Sequence, residues 1–189
     1  MKLLRITAEG LPLFKEKLDL SFYAQQRVAE EQKNILYPLF SNVYMNSATG
    51  FIGINASGKT SVLKVILLAL EIINNEPVNH IETRDILGDS KEVKLNTYFF
   101  SEKANEICRL ETIITSRKSK LDGISYGIVS ESLWRKGVDE VTTRKAMLDF
   151  EGREPVMIRS SQEDFLPDDV SIMIAKNKKA KEHVRIVNL

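Results

Sequence analysis

The chain has 189 residues, which is enough for one full-sized domain and too few for two comfortable ones. Hydrophobic residues make up 43% and charged residues 28%, a composition that excludes collagen-like and wholly disordered chains. Twenty-seven Lys and Arg against 26 Asp and Glu leave a formal charge of +1. This balance argues against an electrostatically driven nucleic-acid binder, although it does not exclude a local basic patch.

Cysteine usage and apolar run length limit the class of protein further. Cys108 is the single cysteine, so it cannot form an internal disulfide, and we expect it to be a small core residue. The longest strictly apolar run, Val65 to Leu70, is far shorter than the roughly 18 to 20 residues that a membrane span needs. We therefore expect no membrane insertion and a reducing compartment, most simply the cytoplasm.

The N-terminal part of the chain predicts short strands separated by polar segments. Alternating apolar residues and turn residues indicate strands over residues 1–8, 18–22, 42–45 and 49–52. The polar stretch from Tyr23 to Asn34 fits either a solvated helix or a loop.

A dense apolar helix is predicted from Gly58 to Ile73, where Asn74, Asn75 and Pro77 end it. Beyond it the pattern changes to β, with strands predicted over residues 92–100, 106–115 and 124–133. Residues 136–161 are polar and weakly patterned. Pro167, Asp168 and Asp169 are typical of a helix start, which predicts a helix from Val170 onward.

The segment Gly53–Thr60 fits the pattern G-x-x-x-x-G-K-[ST] between the predicted strand and the predicted helix. A triphosphate carries several negative charges, and backbone N–H groups in a tight loop surround it only where side chains do not block the approach. Glycine at both ends meets that need, and the helix that follows adds its free first-turn amides. The alternative to a nucleotide-binding loop is an ordinary strand–turn–helix unit in which Gly-Lys-Thr occurs by chance.

The motif assigns a role to each of its members. Lys59 supplies a mobile charge for the β- and γ-phosphates, which makes it the predicted catalytic residue, and the Thr60 hydroxyl is the predicted Mg²⁺ ligand. The predicted cofactors are thus ATP and Mg²⁺. The predicted cofactor-binding residues in this segment are Gly53, Asn55, Ala56, Ser57, Gly58, Lys59, Thr60 and Ser61.

Three segments resemble the SMC/RecF-type ABC ATPase heads, a group that includes the OLD-family proteins. Asn55-Ala56-Ser57 before Gly58 resembles their G-x-N-[AG]-[SA]-G-K-[ST] phosphate loop. Ile128–Leu133 is similar to a strand that ends in E-x-L, and Leu166–Ile172 is similar to the stretch before the family's arm. The usual N-terminal N-F-[KR]-x-F signature is replaced by Glu9–Phe14, so the resemblance implies no adenine contact at that turn.

The resemblance implies an α/β fold, in which a P-loop NTPase-type mixed sheet surrounds the Walker A helix and carries an antiparallel β subdomain. It also implies that residues 1–189 are a single nucleotide-binding lobe, which ends before the signature motif and the Walker B strand. Its partners would be the remainder of the head and a second copy, joined as a homodimer on ATP binding. Because the residues that activate water are missing from this sequence, we expect little or no hydrolysis by this chain alone.

Smaller candidates lie outside the phosphate loop. Gln162 lies on a plausible loop and is a candidate for contact with Mg²⁺ and the attacking water, although an exposed glutamine without a role is more common. Basic residues between positions 176 and 185 form a cluster, which fits a solvated helix face better than a DNA contact. The same choice applies to Arg117, Lys118 and Lys120, and Trp134 either stacks on a base or anchors a strand end. The cluster comprises Lys176, Lys178, Lys179, Lys181 and Arg185.

Two further functions stay open. The first is a nucleotide-regulated module that binds protein or DNA without turnover. The second is a P-loop kinase or GTPase. The kinase interpretation lacks an Arg-rich lid, with only Arg153 and Arg159 loosely placed, and the GTPase interpretation lacks a guanine-reading N/T-K-x-D.

Overall fold

The computed structural model describes residues 1–54, 58–119, 123–159 and 166–180. Three helices and eight strands lie in this part of the chain, with short 3-10 turns at Glu30–Ile35, Arg84–Ile86 and Val138–Glu140. The helices are α1 (Lys59–Ile73), α2 (Arg144–Met147) and α3 (Met173–Ala180). The strands are β1 (Lys2–Glu9), β2 (Leu18–Ser21), β3 (Tyr37–Phe40), β4 (Val43–Met45), β5 (Val93–Ser101), β6 (Glu106–Ser119), β7 (Gly123–Gly137) and β8 (Met157–Ile158).

The strands form a six-stranded sheet in the order β2-β1-β5-β6-β7-β8 and a two-stranded sheet, β3-β4. Each strand pair among the described residues is antiparallel. The long hairpin β6–β7 runs in register from Glu106 opposite Gly137 to Ser119 opposite Gly123, with one bulge at Ile113/Ile114. Strand β1 lies between β2 and β5, so the N-terminus of the chain is in the interior of the sheet.

Alternation along the strands gives the large sheet two buried faces. Leu95 and Phe99 of β5 point to one face, where they pack in a core with α1, and Phe100 points to the other. Helix α1 presents a stripe at the spacing i, i+3, i+4, i+7 to the first face. The members of this stripe are Val65, Leu68, Ala69 and Ile72, and all four are buried.

The second face of the sheet is covered by the β3–β4 hairpin and by the segment around α2. Leu4, Phe100 and Ile107 from the sheet pack there against Val43 of β4 and Met147 of α2. The ring of Phe40 lies 5.0 Å from that of Phe100, centroid to centroid, in a tilted arrangement. Elements that follow one another closely in the chain thus lie on opposite faces of the sheet.

Most of the predicted elements are confirmed. Strands β1, β2, β4, β5, β6 and β7 and helix α1 lie where the pattern placed them, although β6 and β7 are longer than predicted. The polar stretch before Asn34 is a loop followed by the 3-10 turn at Glu30–Ile35, and the sequence did not indicate β3. Asn74 and Asn75 end α1 as predicted, with Asn75 in a left-handed conformation.

The predicted fold class is wrong. We expected an α/β, P-loop NTPase-type mixed sheet around the Walker A helix, and the described residues instead form an antiparallel β fold. A parallel sheet requires helical crossovers between strands, whereas neighbouring strands here are mostly joined by turns and hairpins. The predicted strand at 49–52 does not form either, so α1 follows an irregular segment and packs on the antiparallel sheet.

No helix in the described ranges is both long enough and apolar enough to cross a bilayer. The longest is α1, with 15 residues.

The packing of α1 predicts a clear difference between two leucines of the same helix. Leu68 is 1% exposed and Leu63 is 48% exposed. We expect Leu68→Ala to lower the free energy of unfolding by about 2 to 5 kcal/mol, because it leaves a cavity between α1 and the sheet. Leu63→Ala, the matched control, should lower it by less than about 1 kcal/mol. Urea unfolding of both variants measures the difference, and equal losses would contradict the described orientation of α1.

Candidate functional site

The segment that leads into the predicted phosphate loop has no regular structure. Residues 49–54 pair with no strand, and the side chain of Ile52 is 101% exposed. The predicted strand over 49–52 is therefore wrong, because these residues join neither the six-stranded nor the two-stranded sheet. Gly53 and Ile54 are exposed as well, so this side of the loop is open to solvent.

Helix α1 begins directly after Gly58, where a helix was predicted. Gly58 has a φ of +86°, in the left-handed region, and the helix begins at the next residue, Lys59. A Cβ at Gly58 would meet no atom within 4 Å, so the conformation and not the space calls for glycine here. The N-cap residue, Gly58, offers no side-chain hydrogen bond, and no acidic residue lies in the first turn. Among the described residues, no side chain therefore competes with an external anion for the first amides of α1.

Lys59 connects the helix to the loop that precedes it. Its Nζ donates hydrogen bonds to the carbonyl oxygens of Gly53 and Ile54, both at 2.7 Å. The lysine side chain thus folds back from the first position of α1 toward residues 53 and 54. This places one positive charge at the mouth of an uncapped helix, with carbonyl oxygens as its partners and no carboxylate among the described residues.

The other predicted site residues divide into two groups. Thr60 is exposed in the first turn of α1 and Ser61 is half-buried beside it, so the structure brings Gly53, Gly58, Lys59, Thr60 and Ser61 to one end of the helix. The remaining predicted residues, Asn55, Ala56, Ser57 and Gln162, lie outside the described residues. Within the described ranges, no group of three or more His, Cys, Asp or Glu side chains is arranged to hold a metal ion.

The basic residues that we considered for DNA contact have other partners. The Nζ of Lys176 lies 3.3 Å from the Sγ of Cys108 and 5.1 Å from the centroid of the Phe99 ring. Arg117 pairs with Asp168 at 2.5 Å, and Lys118 pairs with Asp89 at 3.3 Å. The side chains of Lys120, Lys178, Lys179, Lys181 and Arg185 lie outside the described part of the chain.

Three single residues considered in the sequence also have structural roles. Cys108 is buried in the core, as predicted, and burial raises the pKa of its thiol. Trp134 is half-buried and its Nε1 donates to the carbonyl oxygen of Arg153 at 3.0 Å, as expected of a strand anchor. Arg153 pairs with Glu140, so it is held at the surface of this region.

Glu131 is a buried acidic residue that the sequence did not indicate as a site, and its carboxylate accepts several hydrogen bonds. It is 1% exposed on β7 and accepts hydrogen bonds from the hydroxyls of Thr112 and Ser171, both at 2.8 Å. The backbone N–H of Ile172 donates to its other oxygen at 2.7 Å. Its position within a predicted strand, between the apolar residues Ile128 and Leu133, was the signal that could have identified it.

Glu131 and Arg159 together fix the turn that precedes α3. Arg159 is buried, its two terminal nitrogens donate to the carbonyl oxygens of Pro167 and Val170, and its Nη1 lies 3.8 Å from Glu131. The kinase-lid role considered for Arg159 does not agree with these contacts. The start of α3 is also later than predicted, at Met173, because Glu131 and not Asp168 or Asp169 accepts from the amide of Ile172.

No protein-family model matches this chain, and a comparison with curated proteins also gives no match. The resemblance to the SMC/RecF-type heads therefore stays a prediction that depends on the phosphate-loop residues.

The burial of Glu131 predicts a pH dependence of stability with a definite sign. Burial raises the pKa of Glu131 above its ordinary value of 4.5, and the bonds from Ile172, Ser171 and Thr112 oppose this only in part. The folded state thus binds more protons than the unfolded state, so stability falls as the pH rises above about 4.5. Relative to Glu131→Gln, the wild-type free energy of unfolding should fall by at most about 1.4 kcal/mol per pH unit.

Urea unfolding of both proteins over a series of pH values measures this difference, and Glu140→Gln is the control of opposite sign. The hydrogen bond from Arg153 lowers the pKa of Glu140, so the wild type should gain stability relative to that variant as the pH rises. A wild-type advantage over Glu131→Gln that grows with pH would contradict the assignment for Glu131.

Proposed function

We propose that this chain binds Mg²⁺-ATP through the loop and first turn formed by residues 53–61. The observation that carries the proposal is the position of Lys59, whose ammonium is held by two loop carbonyls at the mouth of an uncapped helix. This contact keeps the positive charge next to the free first-turn amides. A phosphate group arriving there meets the charge, the amides and the helix dipole together.

A bound nucleotide can replace the two carbonyl oxygens that accept hydrogen bonds from Lys59. Carbonyl oxygens are neutral acceptors, whereas phosphate oxygens are charged and form stronger hydrogen bonds with an ammonium group. The exchange therefore favours bound phosphate, and it releases the carbonyls of Gly53 and Ile54 to solvent, to which both residues are already exposed. The exposed Thr60 hydroxyl supplies one oxygen for Mg²⁺, and water and phosphate oxygens supply the others.

Two parts of the proposal depend on the sequence alone: that the nucleotide is ATP, and that its hydrolysis is slow. The loop residues resemble those of ABC ATPase heads, and the sequence contains no guanine-reading motif. Hydrolysis by this chain alone should be slow, because the sequence contains neither a Walker B Asp-Glu nor a signature loop to orient water. ATP-dependent pairing with a second copy and a cytoplasmic location belong to the same proposal.

The second candidate is a nucleotide-regulated binding module that does not turn ATP over at all. It is favoured by the way Lys59 links loop and helix, because nucleotide binding would change the contacts of residues 53 and 54 without any chemical step. Phosphate release by this chain, measured with and without the remainder of the proposed ATPase head, separates the two candidates. A fast steady-state rate from the chain alone, lost in Lys59→Ala, would contradict slow turnover.

Replacing Lys59 tests the proposed binding directly. Lys59→Ala should weaken Mg²⁺-ATP binding about tenfold or more, because it removes a charge-assisted hydrogen bond to phosphate. Lys64→Ala is the matched control, since Lys64 lies one turn further along α1 and pairs with Asp85. Calorimetric titration of ATP and of GTP with each protein gives the affinities. Equal affinities in the two variants, or no heat with the wild type, would overturn the proposal.

The same titrations, repeated with and without Mg²⁺, test whether the Thr60 hydroxyl binds the metal. Thr60→Ala should weaken binding when Mg²⁺ is present and leave metal-free ATP binding unchanged, because only the metal contact is lost. Thr60→Ser keeps the hydroxyl and should bind as the wild type does. An equal effect of Thr60→Ala with and without Mg²⁺ would show that the hydroxyl does not act through the metal.

A further inference from the structure

A groove crosses the side of the molecule that carries the β3–β4 hairpin and α2. It consists of three adjoining depressions of about 650, 370 and 350 Å³. The first two share Arg27 and Val28, and the second and third share Tyr23 and Gln25, so they form one continuous feature. The β3–β4 hairpin and α2 pack on the sheet face opposite α1, which separates this basic groove from the helix that carries Lys59.

The basic groove contains cations that no carboxylate neutralises. Arg27 and Lys145 are exposed and make no ion pair within the described ranges. Arg144 donates to the carbonyl oxygens of Gln26 and Asn42, which hold the guanidinium in place and leave its charge uncompensated. Lys33 pairs with Glu30 and therefore adds no net charge.

The chain as a whole carries a formal charge of only +1. The basic residues that sequence inspection singled out, Arg117, Lys118 and Lys176, have partners elsewhere in the fold. The groove, in contrast, brings together the cations of residues 27 and 144–145, which are distant in sequence and make no ion pair in the described part of the chain.

The groove also offers aromatic and amide groups beside the cations. Tyr23 and Tyr44 line it and are half-buried, so part of each side chain remains accessible from the groove. Gln25, Asn42 and Asn46 add hydrogen-bonding groups along its length. Cations spaced along a groove with accessible aromatic rings are the combination that binds single-stranded nucleic acid, whose bases stack on the rings. A duplex conceals the faces of its bases, and a single phosphate would use only one end of the groove.

We propose that this basic groove binds single-stranded nucleic acid, with Arg27, Arg144 and Lys145 contacting phosphates and Tyr23 and Tyr44 contacting bases. The proposal does not depend on nucleotide binding at Lys59, since different residues on the opposite sheet face carry it.

The test measures fluorescence anisotropy of a labelled thymidine oligonucleotide of about 12 nucleotides, a length within the site sizes of such grooves. Titrations of the full chain between about 50 and 200 mM salt should give a log–log slope near −2, as expected for three phosphate contacts on a single strand. The double variant Arg27→Gln with Lys145→Gln should bind about 20-fold more weakly near 0.1 M salt and lower the slope to about −0.7.

The matched control is Lys91→Gln with Lys103→Gln, which makes the same change in net charge at two exposed positions outside the groove. It should bind as tightly as the wild type, within about twofold. Tyr44→Leu should weaken binding about fivefold without changing the salt slope, because stacking and not charge is lost. Urea unfolding of each variant verifies that the fold is retained.

The proposal is overturned by the absence of binding by the wild type or by equal losses in the groove and control double variants. It is also overturned if a duplex or a polyglutamate peptide binds as tightly as the single strand. Lys59→Ala should bind the oligonucleotide as the wild type does, so loss of ATP binding and loss of oligonucleotide binding are distinguishable. Displacement of the oligonucleotide by ATP in Lys59→Ala would assign the groove to free nucleotide and would also overturn the proposal.

Discussion

The burial of one apolar stripe of α1 against the antiparallel sheet is the constraint on which the candidate site depends. Val65, Leu68 and Ile72 fix the helix along its axis and around it, so the positions of its first residues follow from the core. The core therefore sets the position of the helix end that carries Lys59, which contacts the irregular segment at Gly53 and Ile54. A phosphate site needs such a fixed end, because preorganised donors do not have to be ordered by the ligand.

A second constraint acts on the other side of the same core. Glu131 lies in the middle of β7 and holds the turn before α3 through Ser171 and Ile172, and Arg159 holds that turn through two carbonyls. A buried carboxylate is unfavourable without donors, and here three hydrogen bonds and a nearby guanidinium compensate its charge. The network joins segments about 40 residues apart, so it determines tertiary contacts more than local structure.

The basic residues of this protein differ in whether another side chain partners them, which the net charge of the chain does not show. Arg117, Lys118 and Lys176 are partnered, whereas the exposed charges of Arg27 and Lys145 are not. Because the two sheet faces are covered by different elements, the proposed nucleotide loop and the proposed nucleic-acid groove occupy separate surfaces.

The sequence by itself determined most of the local structure. Period-two alternation located six of the strands, apolar spacing located α1, and the Gly58-Lys59-Thr60 signal identified the helix end at which Lys59 meets the loop. These features depend on neighbours in sequence, which is why a pattern reveals them. Sheet type, the irregular course of residues 49–54 and the partners of Glu131 were decided only by tertiary structure. A strand needs a neighbouring strand to pair with, and a buried charge needs hydrogen-bonding partners. Both are supplied by residues far away in the chain.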